Sequence, residues 1–91
     1  MLATEACEAL RLGRVIRVRV EKKDRWLEVH AVGKGKDGRD VMRVFQIRGG
    51  DIQSEAMGWR LIRLEALGRG DYYREEREEG VRRRLKLPAN P

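Results

Sequence analysis

Residues 14–20 read Arg-Val-Ile-Arg-Val-Arg-Val, and this alternation constrains the fold more than any other feature of the chain. Branched aliphatics lose side-chain freedom in a helix and pack well on a pleated surface, so the run predicts a strand. At a period of two, Ile16, Val18 and Val20 share one face, while Val15, Arg17 and Arg19 share the other. One face needs a core and the other suits an anion. Residues 25–32, Arg-Trp-Leu-Glu-Val-His-Ala-Val, repeat the pattern, with Leu27, Val29 and Ala31 opposite Trp26, Glu28 and His30. Two later runs, Val41 to Ile47 and Trp59 to Leu64, are equally strand-like but set Arg43, Arg60 and Arg63 among apolar residues without clean alternation. Such mixing predicts a closed or strongly curved sheet with no wholly dry face.

A chain of 91 residues allows one domain and leaves much of its surface wet, which argues against a cleft between two lobes. With 41% apolar and 40% charged residues it can build a small core, and no apolar run approaches the ~18 residues of a membrane span. The first eight residues carry two carboxylates where a signal peptide needs positive charge, so a cytoplasmic protein is expected. Cys7 is the sole cysteine and His30 the sole histidine, which rules out an internal disulfide and leaves no ligand set for zinc. Cys7 reads as a small apolar helix residue, and a nucleophilic Cys–His pair would lack any supporting motif.

The net charge of +6 is typical of proteins whose partner is a polyanion. Sixteen of the 21 cations are arginines, whose guanidinium grips phosphate through two parallel hydrogen bonds and stacks on bases. Arginine richness can equally follow from genomic base composition, and most surface arginines are simply solvated.

Thr4 can cap a helix over residues of about 4–12, with Glu5 and Glu8 near its positive end, Arg11 near its negative end and Gly13 as a stop. Ala3, Ala6, Cys7 and Leu10 would share the face that packs on the sheet. Strands are expected at about 14–21, 25–32, 40–48, 57–64 and 70–74, the first two joined by a tight turn at Lys22-Lys23-Asp24. Gly33, Gly35 and Gly38 match the spacing of a dinucleotide fingerprint. A strand follows where that fingerprint needs a helix N-terminus, so Asp37-Gly38 reads as a hairpin turn. Arg48-Gly49-Gly50 opens a loop of roughly ten residues, either a ligand loop or a plain connector. Residues 75–91 form a charged tail, expected to fray, whose Arg82-Arg83-Arg84 and Lys86 could add electrostatic reach.

The run Trp59-Arg-Leu-Ile-Arg-Leu-Glu-Ala-Leu67, the strand Arg25-Trp-Leu-Glu-Val-His30 and the glycine-aspartate turn between strands resemble the WYL domain of bacterial regulators over roughly residues 4–73. Val29 stands where that family carries proline, Ile62 where an aromatic is common, and Asp40-Val41-Met42 where Trp-Tyr-Leu is expected. The resemblance implies a mainly β domain over residues 1–74: a small Sm-like or SH3-like five-stranded barrel with an N-terminal helix. It also implies a sensor or effector role in bacterial transcription or defence, usually behind a winged-helix DNA reader. The 13 residues before the first strand hold no helix-turn-helix, so a domain acting alone would supply the anion site itself or attach to a partner.

The function expected is a non-enzymatic module for an anionic ligand, either single-stranded nucleic acid or a nucleotide. Arg25, Arg43 and Arg63 are its leading contacts by their match to the family's basic positions. His30 is a hydrogen-bonding or stacking group, and Arg17, Arg19 and Arg60 provide steering. The alternative is a protein-interaction or dimerisation module that pairs through an exposed strand edge, with a second copy or a regulatory protein as partner. No catalytic constellation, metal site or cofactor motif is recognisable, so an enzyme is not expected.

Overall fold

The computed structural model describes residues 1–50 and 57–79; for residues 69 and 73–79 the description is of the backbone. In chain order these form helix α1 (Ala3–Leu12), strands β1 (Arg14–Val20), β2 (Lys23–Lys34), β3 (Asp40–Gly49) and β4 (Gly58–Arg63), and strand β5 (Tyr72–Glu79). Two 3-10 turns, Leu64–Ala66 and Arg69–Asp71, separate β4 from β5. The basic triplet 82–84, Lys86 and the middle of the 48–58 loop lie outside the described residues. No helix among the described residues is long and apolar enough to cross a membrane.

All strand pairs are antiparallel, in the order β4-β3-β2-β1-β5: a four-stranded meander with β5 added along β1. The sheet is open. The expected closure into an Sm-like barrel is therefore corrected, since no ladder joins β4 to β5 among the described residues. Two 3-10 turns intervene between these strands in the chain. Ala6 and Ala9 of α1 and Leu64 and Leu67 of the first turn enter the same core as Ile16, Val18, Leu27, Val29, Met42, Val44 and Ile62. The terminal amine of Met1 donates to the carbonyls of Leu64 and Leu67 and so ties the helix to that turn.

The N-cap is Leu2 rather than Thr4, with Glu5 Oε1 accepting the Leu2 N–H at 2.7 Å. Gly13 adopts φ 66° and closes the helix as expected. Cys7 is exposed, because Ala9 takes the core position assigned to it.

Two β-bulges set the faces of the sheet. Val29 opposes Val44 and Ala31 opposes Arg43, so His30 is an extra residue on β2. Beyond it Val32, not Ala31, continues the core face. Trp26 opposes Arg48 and Leu27 opposes Gln46, which makes Ile47 the extra residue on β3. The second face of the sheet is not uniformly exposed: the cross-strand neighbours Val15 and Glu28 are fully buried there.

The β1–β2 turn lies earlier than predicted, at Glu21-Lys22 between the paired Val20 and Lys23. Both turn residues have positive φ, 54° and 66°, the left-handed pair that a two-residue turn needs to match strand twist. Neither is a glycine or asparagine, which is why the sequence hides this turn. Asp37-Gly38 does turn the β2–β3 hairpin, Gly38 having φ 81° and donating to the Gly35 carbonyl at 3.0 Å. At the far end of β3, a Cβ on Gly49 would lie 2.7 Å from Arg25 Cα, at a φ of 108°.

Relief of the turn in Lys22→Gly raises the unfolding free energy in urea by about 1 kcal/mol. Gly49→Ala lowers it by roughly 3 kcal/mol through strain and overlap with the β2 backbone.

Candidate anion site on the open edge

Arg25 precedes Leu27 and Val29 on β2 at a period of two, so its side chain starts from the core face. Only 8% of it is exposed. Gln46 follows Met42 and Val44 on β3 and points the same way, fully buried. Arg60 opposes Val44 from β4 and approaches from the other side. The three side chains meet at one atom: Gln46 Oε1 accepts Arg25 Nη1 at 3.0 Å and Arg60 Nε at 2.9 Å. Gln46 Nε2 donates to the Gly49 carbonyl at 3.1 Å, which fixes the amide with its oxygen toward the guanidiniums.

This arrangement concentrates positive charge. Arg25 has a neutral amide as its side-chain partner, although a buried cation is ordinarily matched to a carboxylate. Arg25 and Arg60 line a hollow of about 320 Å³ at the sheet's open edge, with Val20, Leu61, Ile62 and Arg63 among its walls. Glu21, lifted by its positive-φ turn, stands at the rim. A second hollow of about 370 Å³ shares Arg60 and Leu61 with the first and adds Arg43 and Trp59. The two lie on either side of β4, one toward the core face and one toward the opposite face.

The other expected site residues are dispersed. Arg43 is exposed on the opposite face of the sheet from Arg25. Arg63 starts from that face too, and is held by Asp37 at 3.2 Å and Glu65 at 3.8 Å. Arg39 completes the group: its Nη1 donates to both Glu65 oxygens at 2.8 Å, and this contact holds its pKa above the ordinary arginine value. Arg63 thus belongs to a surface network that ties the β2–β3 turn to the end of β4. Arg19 meets Asp24 at 3.5 Å, and Arg17 lies across from Trp26. The predicted trio Arg25, Arg43 and Arg63 therefore does not converge; Arg25 converges instead with Arg60.

His30, displaced by its bulge, faces inward on the second face. Its Nε2 lies 2.8 Å from Oε1 of the buried Glu28, in a geometry that makes no hydrogen bond. The ring also meets Trp59 edge-on at a centroid distance of 4.9 Å, and Phe45 meets Trp59 edge-on at 5.3 Å. Trp26 is half-buried beneath the Arg48 guanidinium, 4.3 Å from its ring centroid.

Gln46 was missed as a site residue. Its signal is a polar residue in register with Met42 and Val44 on the core side of a strand. Among the described residues no group of three or more His, Cys, Asp or Glu side chains could hold a metal ion. No protein-family model, curated protein or solved structure matches the chain, so the WYL resemblance rests on the quoted segments alone.

Gln46→Leu removes the acceptor on which Arg25 depends and costs about 2 kcal/mol in urea unfolding. Adding Arg25→Met to that variant recovers most of the loss, because the cation left without a partner is gone.

Proposed function

We propose that the protein is a non-enzymatic binding module for an anionic ligand, with single-stranded nucleic acid the class it suits best. The observation that carries this reading is the pair Arg25 and Arg60, bonded to one uncharged amide oxygen and lining a hollow at an open sheet edge. Two guanidiniums on a neutral spacer repel one another in a partly dry site. A phosphate oxygen entering the hollow relieves that repulsion and gives Arg25 a charged partner. The net charge of +6 adds long-range attraction for a polyanion. The lone cysteine fits a cytoplasmic setting, and the WYL resemblance supports a regulatory role in bacterial transcription or defence.

A second reading is favoured by one observation. β4 is an edge strand, and Leu61, 68% exposed, projects from it. Pairing of that edge with a second copy would make a dimerisation module.

Fluorescence anisotropy of a labelled deoxythymidine strand across a salt series tests the first reading. Binding through about four phosphates gives a log–log slope near −3. Arg60→Ala weakens binding about tenfold or more with little change in melting temperature, whereas Arg19→Ala leaves affinity within about twofold. Absence of binding at low salt, with a salt-insensitive dimer in sedimentation, would favour the second reading.

A further inference from the structure

Trp59 is 39% exposed in a domain with few aromatic residues, and it stands beside the anion site. Its neighbours hold it in place. His30 and Phe45 meet it edge-on from β2 and β3, and His30 lies beside the buried Glu28 carboxylate, 2.8 Å from Nε2 to Oε1. These contacts fix the orientation of the ring while about two-fifths of the residue stays open to solvent. The hollow beside it is lined by Arg43, Arg60 and Leu61, so it combines an aromatic surface, an apolar wall and cationic groups. Arg60 and Leu61 are also walls of the hollow that holds Arg25. The two hollows therefore meet across β4: phosphate-binding chemistry lies on one side and base-stacking chemistry on the other.

We infer that Trp59 is the stacking platform for a nucleobase whose phosphate is held at Arg25 and Arg60, so that the ligand is read as a nucleotide unit straddling β4 rather than as a bare polyanion. This rests on the anion reading above and deepens it. A polyphosphate satisfies the first hollow alone; a nucleotide strand satisfies both. Base stacking is tolerant of sequence because every base has a flat π surface, so recognition depends on the presence of bases more than on their order. Arg43, exposed on the same face, is placed to meet the next phosphate along the strand.

The test compares three probes of matched length: a deoxythymidine strand, the same strand made abasic, and inorganic polyphosphate. The unaltered protein binds the deoxythymidine strand about tenfold more tightly than the abasic one. Trp59→Ala abolishes that difference and leaves polyphosphate affinity within about twofold, while Trp59→Phe retains part of it. In a Trp26→Phe background, where Trp59 is the remaining tryptophan, the deoxythymidine strand quenches intrinsic fluorescence and polyphosphate does not. Equal affinity of the unaltered protein for thymidine and abasic strands, without quenching, overturns the platform while leaving the anion reading intact. Failure of all three probes to bind overturns both.

Discussion

Two arginines that share one uncharged oxygen set the terms for the rest of this molecule. A carboxylate at position 46 would set a negative charge between Arg25 and Arg60; glutamine holds both side chains through a neutral oxygen. The surroundings are built to permit this. Gly49 lets the end of β3 pass against the backbone of Arg25, where any side chain would collide. The Ile47 bulge turns Arg48 away to cover Trp26, so that Gln46, and not a third cation, remains beside Arg25 and Arg60 on the core face. The positive-φ turn at Glu21-Lys22 keeps the β1–β2 connection short and places Glu21 at the rim of the hollow.

The open edge is as important as the charge. Were β4 paired on both sides, its two hollows would be walled off and Arg60 would be enclosed by backbone. Here the 3-10 turns after β4 carry the chain away, and the core is sealed by Ala6, Ala9, Leu64 and Leu67. A helix with alanines on its packing face can lie close against a sheet, which lets so small a domain dispense with a ladder at that point. The surface network of Arg39, Arg63, Asp37 and Glu65 braces the far end of the same strand. Its members are exposed, so its role is to fix position more than to add stability.

Period-two patterning made the central strands legible. Ile16 and Val18 on β1, Leu27 and Val29 on β2, and Met42 and Val44 on β3 all announce a core face and occupy it. Positions after a bulge were not legible, because one inserted residue reverses every later side chain; Ala31 and Val32 exchange roles for this reason. Closure was illegible for a related cause. Strand-like segments state which residues pair well, but the gap between β4 and β5 depends on how far the turns at Leu64–Ala66 and Arg69–Asp71 separate them. At the site, arginines were easy to find and hard to group. Arg63 stands out from its motif, yet Asp37 of the β2–β3 turn, far off in sequence, and Glu65, two residues on, both engage it. Arg60 ranked low and is one of the two that converge, since its partner Gln46 carries no charge to draw attention.

Strands that mix arginine with aliphatics thus do two things at once: they build a sheet, and at its open edge they leave Arg25 and Arg60 on the core side and a partly exposed tryptophan on the other. The proposed anion recognition rests on the two arginines and the proposed base recognition on the tryptophan. The most direct measurement is NMR of the arginine Nε–H groups during titration with a deoxythymidine strand. The account predicts that the Arg25 and Arg60 signals move together and saturate at one stoichiometry while Arg19 stays in place. Movement confined to Arg19 and other peripheral arginines, with Arg25 and Arg60 unperturbed, would contradict it.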